Sequence, residues 1–214
     1  MTSPATAART GRPAKRTAID CAARAVFGRE GYTRASVDTI AAEAGVSKRT
    51  IYNHYQDKEQ LLLSVLQEST HAVAAHQEEL IDQHLTGPAD LRTELMVLGR
   101  ALAAPQSGFE GHFALVRVIF AEAPRLPSEV IESWRTEGPR RTQARLAQHF
   151  TTLTAAGRLH TDDPQDAAAH FTQLVMSEAY ERSFHGALPL PQGELDALVA
   201  SGVAAFLRLY GSGI

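Results

Sequence analysis

Cysteine and tryptophan each occur once in this 214-residue chain, and methionine three times. One cysteine, Cys21, permits no internal disulfide framework and gives no sign of an oxidising compartment. No apolar run approaches the ~20 residues that span a bilayer. Residues 1–8 are small and polar and lack the apolar stretch of a secretory signal. A soluble, cytoplasmic protein without a membrane partner is therefore expected. Catalytic signatures are missing as well. There is no phosphate-binding glycine loop, no nucleophile elbow and no carboxylate constellation at helical spacing. His71 and His76 stand five apart, a poor fit to one helical face, and no Cys/His cluster has zinc spacing. Neither an enzyme, a metal site nor a cofactor is expected.

What is present is enough apolar matter for a core, 44% of the residues, which excludes wholesale disorder. The net charge of −3 hides an asymmetry. Residues 1–60 carry ten basic and six acidic side chains, and the remainder eleven and eighteen. Such an imbalance points to an anion-binding segment joined to something else. Arg9, Arg12, Lys15 and Arg16 precede any acidic residue. This basic arm, residues 1–14, is read as disordered. It either reaches along DNA phosphates and into a minor groove or is a solvated tail.

Apolar residues recur at helical spacing, and no stretch alternates with period two, so the fold class is all-α. A first helix over residues 15–29 carries the stripe Ile19, Ala22, Ala23, Val26 and Phe27. A short helix over 37–44 has Ser36 as its N-cap, and another runs from Ser47 to near Tyr55. A long helix follows Asp57 and extends to residue 84. Further helices are expected over 89–104, 109–122, 128–156, 164–186 and 193–210. Gly138-Pro139 should kink or break the seventh of these nine segments.

Residues 36–62 carry the functional signal. Two short helices joined by Gly45-Val46-Ser47 have helix-turn-helix spacing. Ile40, Ala44 and Ile51 point inward, Ala41 is small at the crossing, and Gly45 suits a left-handed turn. Ser47 caps the second helix and leaves its N-terminal donors to phosphate. With Ile51 and Tyr55 inward, that helix presents Lys48, Arg49, Thr50, Tyr52, Asn53 and His54 to solvent. These side chains donate to phosphates and base edges.

The runs Phe27-Gly28-Arg29-Glu30-Gly31-Tyr32, Ser36-Val37-Asp38-Thr39-Ile40-Ala41, Ala44-Gly45-Val46-Ser47-Lys48-Arg49-Thr50-Ile51-Tyr52 and Tyr55-Gln56-Asp57-Lys58-Glu59-Gln60-Leu61-Leu62 resemble the N-terminal domain of TetR-family transcriptional regulators. Residues 113–127 and 163–171 are similar to the C-terminal domain of an AefR-like subgroup. Cys21, where a polar or small residue is common, and the alanine-rich first stripe depart from the pattern. The resemblance implies a helix-turn-helix DNA-binding domain over 15–62 and an effector-binding and dimerisation domain over 63–214.

It also implies roles. Ser36, Lys48, Tyr52, His54 and Lys58 would contact phosphates. Arg49, Thr50 and Asn53 are candidates for base edges, and Arg12 for the minor groove. A homodimer would read a pseudo-palindromic double-stranded operator. Its interface would use Phe171, Leu174 and Val175 of one helix and Leu195, Leu198, Val199, Gly202, Val203, Phe206 and Tyr210 of the last. The alternative is that both stripes cover the chain's own core. An unknown small-molecule effector would meet Met96, Phe109, His112, Phe113, Arg117, Trp134, His170, Phe171 and Glu178, although each also fits ordinary core or surface. The resulting expectation is a repressor released from DNA by a small apolar or aromatic ligand. A ligand-independent architectural DNA binder and an all-helical carrier are the competing classes.

Overall fold

The structure, a computed structural model, describes residues 5–87 and 90–212, with side chains from Pro13 onward. The expected minor-groove role of Arg12 rests on a side chain outside the described residues. Among the described residues ten α-helices follow one another: α1 (Ala5–Glu30), α2 (Val37–Glu43), α3 (Lys48–Tyr52), α4 (Lys58–His84), α5 (Leu91–Ala103), α6 (Glu110–Glu122), α7 (Ser128–Arg135), α8 (Arg141–Ala155), α9 (Pro164–Arg182) and α10 (Gln192–Tyr210). No helix among the described residues is long and apolar enough to cross a membrane.

The forms of three elements have local causes. The first helix begins at Ala5 rather than residue 15, so the stretch read as a disordered arm is helical backbone from Ala5 onward. Alanines at 5, 7 and 8 favour this, being the strongest helix formers. Pro13 lies inside that helix, and Thr17 Oγ1 donates to its carbonyl at 3.1 Å. Gly138-Pro139 interrupts the α-helical pattern between α7 and α8 without an intervening loop. It sits in a π-helical turn, Thr136–Arg140, that passes α7 into α8 and absorbs the missing proline donor. Helix α9 stops at Arg182 because Phe184, His185 and Gly186 take left-handed conformations. The His185 amide closes back on the Tyr180 carbonyl at 2.8 Å.

The chain divides into two compact units, residues 1–70 with 111–134, and residues 71–110 with 135–214. This differs from the expected boundary at 62/63. The boundary falls inside α4, and α6 and α7 group with the first four helices. The first unit's core joins Ile19, Val26 and Phe27 of α1 to Ile40 of α2, Ile51 of α3 and Leu61 and Val65 of α4. Leu115 and Ile119 of α6 and Val130 of α7 complete it. Close approach explains the grouping: a Cβ on Gly28 of α1 would lie 2.8 Å from the Ala114 Cβ of α6.

The second unit is built around Phe150, Phe171 and Phe206, from α8, α9 and α10. Phe171 meets the other two edge-on, with ring centroids 5.9 and 5.2 Å away. A polar ladder runs along the second half of α4. Glu78 accepts from Arg141 Nε at 2.8 Å, Asp82 accepts from Arg145 Nε at 2.7 Å, and His71 lies 2.6 Å from Glu137.

Most of the residues expected at an interface from the last two helices lie, within one copy of the chain, in the second unit's core. Phe171, Val175, Leu195, Val199, Val203 and Phe206 are buried in the second unit's own core. Gly202 is buried too, and what approaches it is the Leu174 carbonyl of the same chain. Of the ten residues expected at a dimer interface, Leu174 is exposed, and Leu198 and Tyr210 are half-buried. A stripe at helical spacing shows that a face must be covered. Here its own chain covers it.

Candidate nucleic-acid interface

Two serines start the helices of the helix-turn-helix. Ser36 Oγ accepts from the Thr39 amide at 3.0 Å, and Ser47 Oγ accepts from the Thr50 amide at 3.1 Å. Each satisfies one of the donors that a helix start leaves unpaired. Between them Gly45 has φ +64°, and the Val46 amide closes on the Ala41 carbonyl at 3.0 Å. Val37, Ile40, Ala41 and Ile51 are buried. Replacing Ser47 by Ala is expected to cost about 1 kcal/mol, read as a lower urea midpoint at unchanged slope.

Helix α3 is shorter than expected. It ends at Tyr52, and Asn53 is its C-cap, with the Asn53 amide bonded to the Arg49 carbonyl at 3.0 Å. Asn53 and His54 therefore lie beyond the helix. The chain turns there because Tyr55 is drawn into the first unit's core, 4% exposed, with its hydroxyl donating to Asp20.

The expected DNA-contacting residues separate into two groups. Arg49, Tyr52 and Asn53 are exposed. Tyr52 is conspicuous, since nearly half of this large aromatic residue, 47%, faces solvent. The other residues already have partners within the chain. Lys48 Nζ lies 2.8 Å from Asp38 Oδ2, and that hydrogen bond holds the ammonium above its usual pKa. The Thr50 hydroxyl lies 2.9 Å from Ser47 Oγ, so the Ser47 expected to leave helix donors open engages both groups of Thr50. Ser36 Oγ lies 2.8 Å from the Thr39 hydroxyl. His54 is half-buried, with its ring 6.4 Å from that of Tyr55.

Lys58, in the first turn of α4 and expected at a phosphate, also has partners within the chain: its half-buried ammonium donates to the carbonyls of Tyr32 at 2.9 Å and Ala35 at 3.1 Å. It also sits 4.4 Å from the centroid of the Tyr32 ring.

The nine expected effector residues are not gathered in either unit. His112, Phe113, Arg117 and Trp134 belong to the first, and the other five to the second. Phe171 is core, His170 is bonded to Tyr210, Glu178 pairs with Arg182, and Phe109 stacks on His76 at 5.4 Å. Met96 packs at the edge of the second core. His112 is buried beside Phe113, and its Nδ1 lies 3.1 Å from Ser69 Oγ. A further polar candidate, Gln106, carries no mark in the sequence. Gln106 is buried, and neither its amide nitrogen nor its amide oxygen has a hydrogen-bond partner among the described residues. The Thr154 hydroxyl, in the same unit, is likewise buried and without a partner among the described residues. A glutamine after Pro105 reads as an ordinary loop residue, so no local pattern marks it.

Comparison with known proteins agrees with this geometry. Residues 21–65 match the bacterial regulatory proteins of the tetR family, and residues 93–212 match the C-terminal domain of AefR-like transcriptional repressors. The chain is 24% identical over 200 residues to the uncharacterized HTH-type transcriptional regulator YvkB of Bacillus subtilis, covering 91% of this chain and 99% of that one. It is 31% identical to a TetR-family transcriptional regulator from Mesorhizobium loti, with a TM-score of 0.81 over 94% of this chain and 98% of that one. The flavonoid-responsive regulator FrrA is 28% identical, with a TM-score of 0.66 and the same coverage.

Proposed function

This chain belongs to the TetR family of transcriptional regulators, and from that premise we propose that it is a sequence-specific repressor released from its operator by a small, largely apolar aromatic ligand. The observation that carries the DNA-reading half is the exposed set Arg49, Tyr52 and Asn53 at α3. Arginine pairs bidentately with guanine and asparagine with adenine, and a tyrosine hydroxyl reaches phosphate. Lys48 joins them by exchanging Asp38 for a phosphate. Two copies of the chain would place two such surfaces on the half-sites of a pseudo-palindrome.

Support for the ligand comes from the second unit. The amide of Gln106 is a buried donor and acceptor with no partner among the described residues, and such groups carry a cost until a partner satisfies them. A ligand with an aromatic body and a hydroxyl or carbonyl would supply that partner. The similarity to a flavonoid-responsive regulator favours the same class. To turn a bound population into a released one, the ligand must prefer the released state by about 5.5 kcal/mol.

Selection of random duplexes by the purified protein tests the first half. A recovered pseudo-palindrome is expected, with Arg49→Ala weakening binding about 10- to 100-fold and relaxing choice at one base position. Equal recovery of all sequences, with binding that only fades as salt rises, would make the protein an architectural binder instead. Loss of the recovered complex on adding flavonoids, with Gln106→Leu resisting that loss, tests the second half.

A further inference from the structure

Helix α1 carries a buried carboxylate. Asp20 follows Ile19 at the edge of the apolar stripe and is 7% exposed. The hydroxyl of the buried Tyr55, in the turn between α3 and α4, donates to Asp20 Oδ1. Asp20 Oδ2 lies 3.7 Å from Arg16 Nε, one turn earlier on α1. Burial raises the pKa of the Tyr55 phenol, and the hydrogen bond to Asp20 raises it further, against opposing hydrogen bonds with Ser64 of α4 and with Arg16. The phenol therefore keeps its proton at neutral pH and stays a donor. Arg16, Asp20, Tyr55 and Ser64 all lie in the first compact unit. A carboxylate in such a place is a cost unless it is paired. A leucine and a phenylalanine would fill the same space without that cost. What the polar pair adds is direction, since a hydrogen bond fixes where the Tyr55 ring points and packing alone does so less narrowly.

That direction reaches the exposed residues through the backbone. The Ile51 carbonyl accepts from the His54 amide and from the Tyr55 amide, each at 2.9 Å. Tyr52 and Asn53 are exposed between two buried anchors, Ile51 held by packing and Tyr55 held by its bond to Asp20. We propose that Asp20 and Tyr55 are positioning residues that fix the end of α3 and the angle at which Tyr52 and Asn53 are presented, so that this pair sets discrimination between DNA sequences. The proposal rests on the DNA-binding reading above. Both residues act from inside the unit, so their effect falls on the choice of sequence and leaves the general attraction to phosphates as it is.

The test uses the full-length chain and three variants, Tyr55→Phe, Asp20→Asn and the double variant Asp20→Leu with Tyr55→Phe. The first readout is hydrogen exchange without DNA. Amides of residues 53–55 should exchange about tenfold faster in Tyr55→Phe, and those of α9 should be unchanged. The second is affinity for the duplex that wild-type protein recovers from a random pool, compared with a scrambled duplex of equal length at the same salt. Tyr55→Phe should bind the recovered duplex about tenfold more weakly and the scrambled one as before. Asp20→Asn still accepts from the hydroxyl and should keep most of the discrimination. The double variant separates reading from stability. Its urea midpoint should return close to that of wild type, because both polar partners are gone together. Its discrimination should stay reduced.

Several results would overturn the proposal. One is unaltered exchange at residues 53–55 in Tyr55→Phe. Another is equal weakening on the two duplexes, the mark of a lost general attraction to DNA. A third is a double variant that regains discrimination together with stability, which would make the pair a matter of packing only. If wild-type protein recovers no duplex, the DNA-binding reading fails and the positioning role fails with it, while exchange still reports whether the Asp20–Tyr55 bond holds the turn.

Discussion

Lowering the pH from 7 to about 4 is expected to remove roughly 3 kcal/mol of stability through one side chain, His112. The residue is 6% exposed. Burial pushes its pKa down from 6.5 to about 4, and the nearby Arg24 guanidinium adds to the shift. Both oppose a charge on the ring. The unfolded chain takes up a proton on His112 near 6.5, whereas the folded chain resists until about 4. Between those values the unfolded state holds more protons, so stability rises with pH through this window. The contribution is complete above the unfolded value and gone once the folded ring also protonates.

The groups around the ring do not relieve this. Ser69 donates to the Leu66 carbonyl at 3.0 Å, which leaves its oxygen to accept from His112 Nδ1. Arg24 itself is paired with Glu68 at 3.6 Å. His112→Gln keeps a donor within reach of Ser69 and cannot titrate here. Urea unfolding at about pH 7 and pH 4.5 should show wild type losing most of the 3 kcal/mol and the variant losing far less. Equal losses in the two proteins would show that the acid sensitivity lies elsewhere, for instance in the carboxylates of the α4 ladder such as Asp82. The Arg145 and His149 hydrogen bonds, working against burial, hold the Asp82 carboxyl below its ordinary value.

How much of this was legible beforehand depended on the range of the interaction. The helix-turn-helix was legible because its determinants are local. A capping serine, a left-handed glycine and inward Ile40 and Ile51 lie within sixteen residues, and the structure places each as expected. Tyr55 was legible as inward, but the end of α3 at Tyr52 was not, and the Asp20 that accepts from the Tyr55 hydroxyl lies thirty-five positions away. The partners of Lys58 within the chain were hidden by the same long range. Its helical position was clear, but its partners come from the α1–α2 connection, and no spacing rule links them. The grouping of α6 with α1 depends on the close approach of Gly28 and Ala114, again invisible to periodicity. The aromatic and apolar candidates in the second half were correct as apolar faces. Periodicity says that such a face is covered without saying by what.

Gly202 turns that last point into a measurement. Two effects oppose each other when alanine replaces it. Within a helix, alanine is favoured over glycine by about 1 kcal/mol, which predicts a more stable protein. Packing predicts the reverse. A Cβ at this position would stand 2.1 Å from the Leu174 carbonyl oxygen and 2.8 Å from the Val175 Cα. Both are backbone atoms of α9, so relief requires moving a helix rather than a side chain. Moving it would also disturb the neighbouring junction, where a Cβ on Gly99 of α5 would lie 2.7 and 2.8 Å from Val175 and Val199 methyl carbons. Overpacking a close-packed site typically costs 1–3 kcal/mol and occasionally more. With backbone on both sides the upper end applies, so Gly202→Ala should lose about 2 kcal/mol net after the helix gain. Gly193, on the same helix, has nothing within 4 Å of a Cβ, and Gly193→Ala should be neutral or slightly stabilising. Urea unfolding of the two variants at several protein concentrations separates the possibilities. A loss in Gly202→Ala that does not depend on concentration places this glycine inside one chain. A loss confined to dilute protein would return it to a contact between copies.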